Sequence, residues 1–579
     1  MDPVDILRAR GVARGDLVAL ALAPGVGVAM VARAGAVCVP ADAEDPASVV
    51  RRVEQTLRPR WVMWSNATAS TLVDAGVRVA TSWDIAAVHR LIFGGWHADP
   101  ARVWAQLHGL ALDDIPDPGP VDLFSQAASG DGDPDEPVRP DGYLRPDWVD
   151  GEWSTTVERL ERWAELASEA VRLQQVRLGT ARDPDHAAMT ARTESAAELL
   201  CTELSADGLP IDRAVAEALI AELVGVRARS EAEAGEQRAR RDAEVLRYAP
   251  PGWDCDLRSP GQVKTLLRTA GIEVPDTRAW RLEALRETHP LIGALLVWRK
   301  AERISTTYGY TWLDEHLHAD GRLRGAWSGS DGAAGRMTAS AGLHNMPVDM
   351  RSAVVAERGR VFVRADLGQI EPRVLAAVSG DTELARATIE DDLYAPVAQQ
   401  LGVDRATAKV AVLGAMYGQT TGNGARALHR LEEAYPVAMT YLREADRAGQ
   451  SRLELRTYGG RLIPFGPPDA GDEVAVSDTR SRDAARGRYS RNAVVQGAAA
   501  ELFKAWAVTV RARAVPLDAR IVLCLHDELL VHAPHENGDR VAQLLEDCLQ
   551  EAAHRWAPDD SVRFVADISV IGRWSEAKN

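Results

Sequence analysis

Arg364-Ala-Asp-Leu-Gly-Gln-Ile-Glu-Pro-Arg373 is the stretch that decides the fold of this chain. The apolar run Val361-Phe-Val363 before Asp366 predicts a strand that delivers this aspartate to its end. The spacing of apolar residues then changes to a helical period from Ile370 onward. Asp366 is therefore expected at a corner where a strand gives way to a helix.

A second acidic segment is Leu523-Cys-Leu-His-Asp-Glu-Leu-Leu-Val-His532. Apolar runs on both sides of His526-Asp527-Glu528 predict a hairpin with acids at its turn. Tight two-residue hairpin turns favour Asn-Gly or Asp-Gly, so this triplet is not typical of an ordinary turn. The segment therefore presents a further carboxylate at a strand end.

Asp366 and Asp527 can converge if their two strands lie in one sheet. Phosphoryl transfer uses two metal ions roughly 3.5–4 Å apart to stabilise the attacking and the leaving oxygen. Mg²⁺ needs only one or two protein carboxylates when phosphate oxygens complete its ligands. The alternative for either aspartate alone is a solvated acid at a strand end, because acids are mostly exposed.

The third segment, Arg405-Ala-Thr-Ala-Lys-Val-Ala-Val-Leu-Gly-Ala-Met-Tyr-Gly418, is predicted to be helical. Arg405, Lys409, Leu413 and Tyr417 recur at intervals of four and share one face. This face would align cations along a triphosphate. An amphipathic helix with two cations reaching into solvent is the alternative for this segment taken alone.

The order of the three segments resembles motifs A, B and C of template-directed polymerases. From about residue 190 to the end, the chain resembles the polymerase region of the bacterial DNA polymerase I family, family A. Further elements match in the same order: Asp256-Leu-Arg-Ser-Pro-Gly-Gln-Val263, Ile304-Ser-Thr-Thr-Tyr308, Ala334-Gly-Arg336, Leu343-His-Asn-Met-Pro347 and Thr457-Tyr-Gly-Gly-Arg461.

The resemblance implies a role for each matched position. The catalytic residues would be Asp366, Asp527, Glu528 and Lys409, with the two aspartates as ligands of two Mg²⁺ ions, or of Mn²⁺, and Lys409 as proton donor to pyrophosphate. The substrate-binding residues would be Arg405, Glu371, Gln369, Leu413, Tyr417, Tyr394 and His526, with Glu371 as a steric gate against the 2′-hydroxyl. Contacts to DNA would come from Arg336, Asn345, Arg461, Arg488, Asn492 and Gln496.

Several positions depart from the family pattern. Leu367-Gly368 stands where Tyr-Ser is usual, Pro372 replaces a leucine, Ala334 replaces a threonine, and Tyr394 replaces a phosphate-binding histidine. Leu413 replaces the usual aromatic residue that packs on the incoming sugar. We expect this loss to loosen sugar selection, because Glu371 loses a flat partner.

The N-terminal third resembles the 3′→5′ exonuclease domain of the same family. Proofreading needs four carboxylates, and the chain is expected to begin beyond the strand that carries the first two. Asp42-Ala-Glu44 has the right spacing but lies in a loop-like segment, and the helix near Trp163 offers Glu165 and Glu169 without an aspartate. A structural remnant without nuclease activity is therefore expected.

The expected fold is an α/β RNase H-like domain followed by an α+β right-hand polymerase domain with an antiparallel palm sheet and helical fingers and thumb. The predicted bounds are 1–185 for the exonuclease-like domain, with an exposed, partly disordered excursion rich in Pro, Asp and Gly at about 112–153, and 186–579 for the polymerase domain. Within it, the thumb is predicted at about 190–325, the palm at about 326–380 and 490–579, and the fingers at about 381–489.

Composition limits the other classes. The net charge of −17 concerns the whole surface, so a basic cleft on an acidic body is still expected. The five cysteines form no Cys-x-x-Cys pair, and Pro24 and Gly25 interrupt the only apolar run near the start, which argues against zinc and export. A monomer in the cytoplasm, associated with the nucleoid, is expected. Its expected partners are primer-template DNA, deoxynucleotides and a separate 5′ nuclease, and no membrane.

Template-directed DNA synthesis in replication, repair or gap filling is thus the favoured function. The alternatives are a catalytically impaired DNA-binding homologue and a polymerase with residual 3′→5′ exonuclease activity. A single-subunit RNA polymerase is disfavoured because that class lacks a bulky gate at the position of Glu371. An exonuclease alone is disfavoured by the missing acids.

Overall fold

The computed structural model describes residues 2–116, 133–250, 252–253, 255–418, 424–465 and 479–577. Its strands are β1 Leu17–Ala23, β2 Gly27–Ala32, β3 Gly35–Pro40, β4 Arg60–Met63, β5 Ser82–Asp84, β6 Leu209–Pro210, β7 Arg322–Leu323, β8 Trp327–Ser328, β9 Thr338–Ala339, β10 Arg360–Leu367, β11 Arg520–Cys524, β12 Glu528–Pro534 and β13 Ala566–Ile571.

The helices are α1 Pro3–Ala9, α2 Pro46–Leu57, α3 Asn66–Asp74, α4 Ile85–Phe93, α5 Pro100–His108, α6 Pro146–Val149, α7 Val157–Leu178, α8 Pro184–Asp207, α9 Arg213–Val224, α10 Glu231–Leu246, α11 Pro260–Thr269, α12 Ala279–Glu283, α13 Pro290–Thr307, α14 Tyr310–His316, α15 Ile370–Ser379, α16 Thr382–Ala387, α17 Tyr394–Leu401, α18 Arg405–Tyr417, α19 Gly424–Ala434, α20 Pro436–Gln450, α21 Thr479–Ala514 and α22 Gly538–Trp556. Among the residues described, no helix is both long and apolar enough to cross a bilayer.

The chain divides into two compact units. The first unit comprises Met1–Asp207, Ala326–Ala339 and Gly359–Val570, and the second comprises Gly208–Gly325, Ser340–Arg358 and Ile571–Asn579. The second unit is mainly helical, and its core includes Leu266, Leu295 and Trp298 from α11 and α13.

The first unit begins with a five-stranded sheet of order β3-β2-β1-β4-β5. Strand β2 is antiparallel to β1 and β3, whereas β4 is parallel to both β1 and β5. The side chains of β1 alternate between two separate cores, with Ala19 and Ala21 in one and Val18 and Leu20 in the other. A strand buried on both faces reads as a continuous apolar run, which explains Leu17–Ala23.

The first strand of the described sheet carries no carboxylate side chain. Strand β1 is the first strand and lies at the centre of the sheet, between β2 and β4. It carries only Leu, Val and Ala. No carboxylate for a nuclease site can therefore come from β1.

The expected excursion at about 112–153 is ordered in its last part. Residues 117–132 lie outside the described residues, but in the stretch that follows Leu144 is 2% exposed and Trp148 is 0% exposed. Trp148 packs near Trp163 of α7, with 6.5 Å between ring centroids. Within residues 133–153, two large apolar side chains are thus buried in the core, while many of the other residues are exposed.

Helices α8, α9 and α10 cover the beginning of the segment predicted as the thumb, about 190–325. Helix α8 ends at Asp207 and belongs to the first unit, where it packs on α21 and β5, and the short strand β6 separates it from α9 and α10. Composition alone does not distinguish these helices because all are rich in Ala, Glu, Leu and Arg.

A four-stranded sheet of order β11-β12-β10-β13 forms the second sheet of the first unit. Strands β10 and β12 are antiparallel, and their register pairs Asp366 with Glu528. The mid-strand residues Phe362 and Val363 are completely buried, while Arg364 and Asp366 occupy the polar end of the strand.

A buried ionic cluster ties helices α8 and α21 to the segment after α20. Glu194 pairs with Lys504 and with Arg461 at 2.6 Å, and all three side chains are at most 3% exposed. Burial alone would raise the pKa of Glu194, but Arg461 and Lys504 together lower it. Beside them, Glu501 accepts hydrogen bonds from the Thr457 hydroxyl and, at 2.8 Å, from the backbone N–H of residue 459.

The pH dependence of stability should carry the signature of Glu501. Burial raises the pKa of Glu501 from an ordinary 4.5 to about 7. The folded state therefore keeps a proton that the unfolded chain releases, so the stability from this group is complete below pH 4.5 and is lost as the pH rises through about 7. We expect Glu501→Gln to flatten this fall, measured as the difference in melting temperature between about pH 5 and about pH 8.

The exposed Glu236→Gln on α10 is the control, because its side chain is 68% exposed. An unchanged pH dependence in Glu501→Gln would contradict the assignment.

Candidate active site

The acidic residues singled out from the sequence lie at one end of the four-stranded sheet. Asp366 is opposite Glu528 in the β10–β12 register, and the backbone N–H of Leu367 donates to the carbonyl oxygen of Asp527 at 2.8 Å. The bonds of the ladder thus hold three carboxylates on neighbouring strands within one small region.

The environment of these acids concentrates negative charge. Burial and the charge of Asp527 together raise the pKa of Asp366 to about 7. Burial and the adjacent Glu528 likewise raise the pKa of Asp527. Like charges held close in a partly dehydrated site repel one another, so this end of the sheet favours a cation.

Arg364 supplies one positive charge inside this acidic group. Its side chain is 5% exposed, and it makes ion pairs with Asp366, with Glu528 at 3.3 Å and with Asp567 at 3.4 Å. The role of Arg364 could not be inferred from the sequence, because the strand that contributes Asp567 lies about two hundred residues further along the chain.

The donor chemistry of the site fits divalent ions. Asp366 and Asp527 offer hard carboxylate oxygens, and the side chain of Asp366 is 31% exposed, so solvent and ligands reach it. Within the described parts of the chain, no group of three or more His, Cys, Asp or Glu side chains is arranged to hold a metal ion. A hexacoordinate ion here would therefore need water or substrate oxygens as well as the two aspartates.

Arg405 is held at the start of α18 by an acidic partner. Its guanidinium binds Asp392 at 2.5 and 3.1 Å, and it lies 5.6 Å from the ring centroid of Tyr394. Asp392 also accepts a hydrogen bond from Gln369 at 3.4 Å. The structure thus brings three predicted substrate-binding residues together around Asp392, which the sequence analysis missed.

Helix α18 has the predicted bounds and presents the predicted face. Asp404 caps its N-terminus by accepting from the N–H of Thr407 at 2.9 Å. Lys409 is exposed, and no ion-pair partner for it occurs among the described side chains, whereas Leu413 is half-buried. The helix therefore offers one cation that is available to an anionic ligand.

Glu371 and Tyr417 are joined by a hydrogen bond. The Tyr417 hydroxyl donates to the Glu371 carboxylate at 2.7 Å, and burial together with Glu371 raises the pKa of Tyr417. The side chain of Gln496 on α21 and the charge of Arg336 both act to lower the pKa of the Tyr417 hydroxyl. Four residues predicted to contact substrate or DNA are therefore neighbours.

The remaining candidates occupy different environments. Arg488 is exposed and Asn492 is half-buried, both on the stripe of α21 that also contains Gln496, and His526 is exposed at the hairpin turn. Asn345 lies in the second unit, where Arg303 donates to its carbonyl oxygen at 2.6 Å.

Arg461 is the predicted DNA contact whose surroundings differ most from the expectation. It is 2% exposed and pairs with Glu194. Its guanidinium packs against Gly335, which has φ +84° and where a Cβ atom would lie 2.3 Å from the Arg461 Nε. These contacts favour a structural role, in which Arg461 supports the loop that carries Arg336.

Arg373, like Arg461, has a structural role, and no pattern in the sequence indicated it. It is completely buried, and burial lowers its pKa to about 10. It donates to five backbone carbonyl groups, at distances of 2.5 to 3.0 Å, in Gly368, Thr388, Glu390, Asp391 and Arg563. Arg373 thereby fixes the loop after Asp366 and the loop that contains Asp392.

The acids considered for a nuclease site do not come together. Glu44 binds Arg52 at 2.5 and 2.9 Å, and Asp42 is exposed beside it. Glu165 and Glu169 on α7 face nearby surface arginines at 3.5 and 3.8 Å. Glu44, Glu165 and Glu169 thus take part in surface ion pairs.

Comparison with known proteins agrees with this geometry. Residues 227–576, more than half of the chain, match the sequence model of DNA polymerase family A. The thermostable DNA polymerase I of Thermus aquaticus is 31% identical over 357 residues, 55% of this chain and 42% of that protein. DNA polymerase I of Deinococcus radiodurans is 27% identical over 392 residues, 60% of this chain and 39% of that protein. The chain thus matches less than half the length of either relative.

A solved structure has the same fold over nearly the whole chain. The POL domain of Pol1 from M. smegmatis, in complex with DNA primer-template and dNTP, superposes with a TM-score of 0.70 and covers 99% of this chain and 98% of that one. At 20% identity, this likeness concerns the fold.

Replacing Arg373 should destabilise the first unit. In Arg373→Lys the ammonium has three donors for five carbonyl groups, so at least two lose a partner. We expect a cost of about 2–6 kcal/mol, seen as a lower melting temperature. Arg386→Lys, at an exposed ion pair on α16, is the matched control and should change little. Equal melting temperatures for the two variants would contradict this account of Arg373.

Proposed function

This chain belongs to DNA polymerase family A, and we propose that it is a template-directed DNA polymerase that adds deoxynucleotides to a primer 3′ end. The observation that carries the proposal is the arrangement of Asp366 near the end of β10 and Asp527 in the turn before β12, together with the cationic face of α18. The matched family model supports the class of reaction.

The two aspartates would hold two Mg²⁺ ions, or Mn²⁺, in this proposal. When bound, such ions stabilise the attacking and the leaving oxygens of phosphoryl transfer. The protein's own contribution is to hold the carboxylates in place, and the β10–β12 ladder and Arg373 do this before any ligand arrives. Glu528, 4% exposed and paired with Arg364, would act as an auxiliary acid that orients this end of the site.

The exposed face of α18 would bind the triphosphate. Lys409 has no competing ion pair within the described structure and would donate a proton to pyrophosphate as it leaves. Arg405 would have to exchange part of its contact with Asp392 for phosphate oxygens, and the exposure of the pair makes this exchange inexpensive. Tyr394 and Gln369 would position Arg405 through their shared contacts.

Glu371 would exclude ribonucleotides by occupying the space beside C2′ of the sugar. The hydrogen bond from Tyr417 fixes its carboxylate. Leu413, four residues before Tyr417 on the same helix, would face the sugar with an aliphatic side chain in place of a ring. Arg336, Arg488, Asn492 and Gln496 would line the DNA path beside this pocket.

We propose that the N-terminal domain is an RNase H-like exonuclease remnant without proofreading activity. The apolar composition of β1 and the surface ion pairs of Glu44, Glu165 and Glu169 support this view. The expected cellular setting is a cytoplasmic, nucleoid-associated monomer in repair or gap filling, with 5′ nuclease activity supplied by a separate protein.

Sugar selection should respond to the residue at 413. We expect Leu413→Phe to increase the preference for deoxynucleotides over ribonucleotides by about tenfold, because a ring restores a flat surface beside Glu371. The measurement is the ratio of kcat/KM for the two nucleotides at a single templating base. Val410→Phe, on the exposed side of the same helix, is the matched control. Unchanged discrimination in Leu413→Phe would end the hypothesis.

Primer extension with dNTPs and Mg²⁺ tests the function itself. The wild-type chain should extend the primer, and Asp527→Ala should reduce the rate about a thousandfold or more, because a metal ligand is lost. Without dNTPs the primer should keep its length, since Glu44, Glu165 and Glu169 are engaged in surface ion pairs. Mg²⁺-dependent shortening that Asp42→Ala abolishes would overturn the remnant, and normal extension by Asp527→Ala would overturn the catalytic assignment.

A further inference from the structure

We propose that Arg364 is a built-in counter-ion of the metal-binding carboxylates. It holds Asp366 and Glu528 in place when no metal is bound, and a divalent cation must displace it from Asp366 in order to bind there. The inference rests on the proposed function and adds a positioning residue that controls how the site takes up metal. Arg364 is a cation that lies among the carboxylates that the proposed chemistry requires.

The sheet places Arg364 among acids from three strands. Arg364 and Asp366 are two residues apart on β10, so both side chains project from the same face. The register puts Glu528 of β12 opposite Asp366, and β13, which carries Asp567, adjoins β10 on its other side. A single guanidinium therefore meets carboxylates on its own strand and on both neighbours.

The three ion pairs differ in exposure. Arg364 and Glu528 each have side chains 5% exposed, whereas those of Asp366 and Asp567 are 31% and 68% exposed. Separating a buried pair leaves an uncompensated charge in the interior, so the contact with Glu528 is the durable one. The contact with Asp366 is the one open to competition from a ligand.

Arg364 and a metal ion would use the same carboxylate. The Nη2 atom of Arg364 contacts Asp366 Oδ2, and it also lies 3.3 Å from Glu528 Oε2. An arginine keeps its charge at every ordinary pH, so its repulsion of a divalent cation a few ångströms away is permanent. Arg364 therefore lowers the affinity of the site for metal while it keeps the acids assembled.

This arrangement links metal uptake to nucleotide binding. Two aspartates, one of them shared with an arginine, form a weak site for Mg²⁺ in the protein alone. Triphosphate oxygens add ligands and negative charge, which offset the guanidinium. Metal loading is then strongest when the nucleotide arrives.

Titration of the full chain with Mn²⁺, without DNA or nucleotide, tests the inference. We expect Arg364→Met to lower the Kd for Mn²⁺ about tenfold or more, because the competing charge is removed. The metal-free melting temperature should fall, and it should rise more on addition of Mn²⁺ than in the wild type. Asp366→Asn in the Arg364→Met background should abolish the tighter binding, which assigns it to this site.

Arg360→Met is the matched control, because Arg360 lies on the same strand but pairs with Asp518 outside the acidic group. Its Kd for Mn²⁺ should equal that of the wild type. If Arg364→Met does not fold, Arg364→Gln, also neutral, replaces it with the same expectation. A Kd that is unchanged or weaker in the neutral variant would overturn the inference, since a purely structural arginine lowers stability without tightening metal binding.

The titration and primer extension fail independently. Tighter Mn²⁺ binding by Arg364→Met in a chain that does not extend primers would reject the polymerase function and retain the role of Arg364. Normal extension by the wild type with an unchanged Kd in the variant would reject only the role of Arg364.

Discussion

The antiparallel pairing of β10 with β12 is the constraint on which the site depends. It places Asp366 opposite Glu528 and fixes Asp527 through a backbone hydrogen bond. Like charges directly opposite each other in a sheet are destabilising, so the ladder holds these acids against their repulsion. The sheet tolerates this because mid-strand residues such as Phe362, Val363 and Val531 are buried and apolar and because Arg364 offsets part of the charge.

The structure combines a rigid acidic side with an accessible cationic side. Arg373 binds five carbonyl groups and fixes the loops next to the acids, whereas Lys409 is exposed on a helix surface. Arg405 stands between the two, since its partner Asp392 lies in a loop that Arg373 holds. The structure thus holds the acidic side chains in fixed positions. It leaves Lys409 free to adjust its position where a flexible triphosphate would bind.

Local sequence patterns predicted the elements that carry the motifs. The strand before Asp366, the hairpin around Asp527 and the helix from Arg405 to Tyr417 all occur as expected, because each is specified by apolar periodicity and its own end residues. Contacts between distant segments were not predictable in this way. The burial of Arg461 depends on Glu194, and the setting of Arg364 depends on β13, neither of which has a local signature. Residues 133–153 are held against the core by Trp148, which packs near Trp163 of α7.

The buried cluster around Glu194 makes helix α8 essential to the packing of the first unit. Glu194 lies on α8, which packs on α3, α4 and β5 as well as on α21, and its carboxylate pairs with both Arg461 and Lys504 near the Gly335 loop. A shortened chain that starts after α8 would leave Arg461 and Lys504 buried without the carboxylate of Glu194. A truncated chain should therefore keep α8, because Glu194 is the carboxylate that pairs with both buried cations.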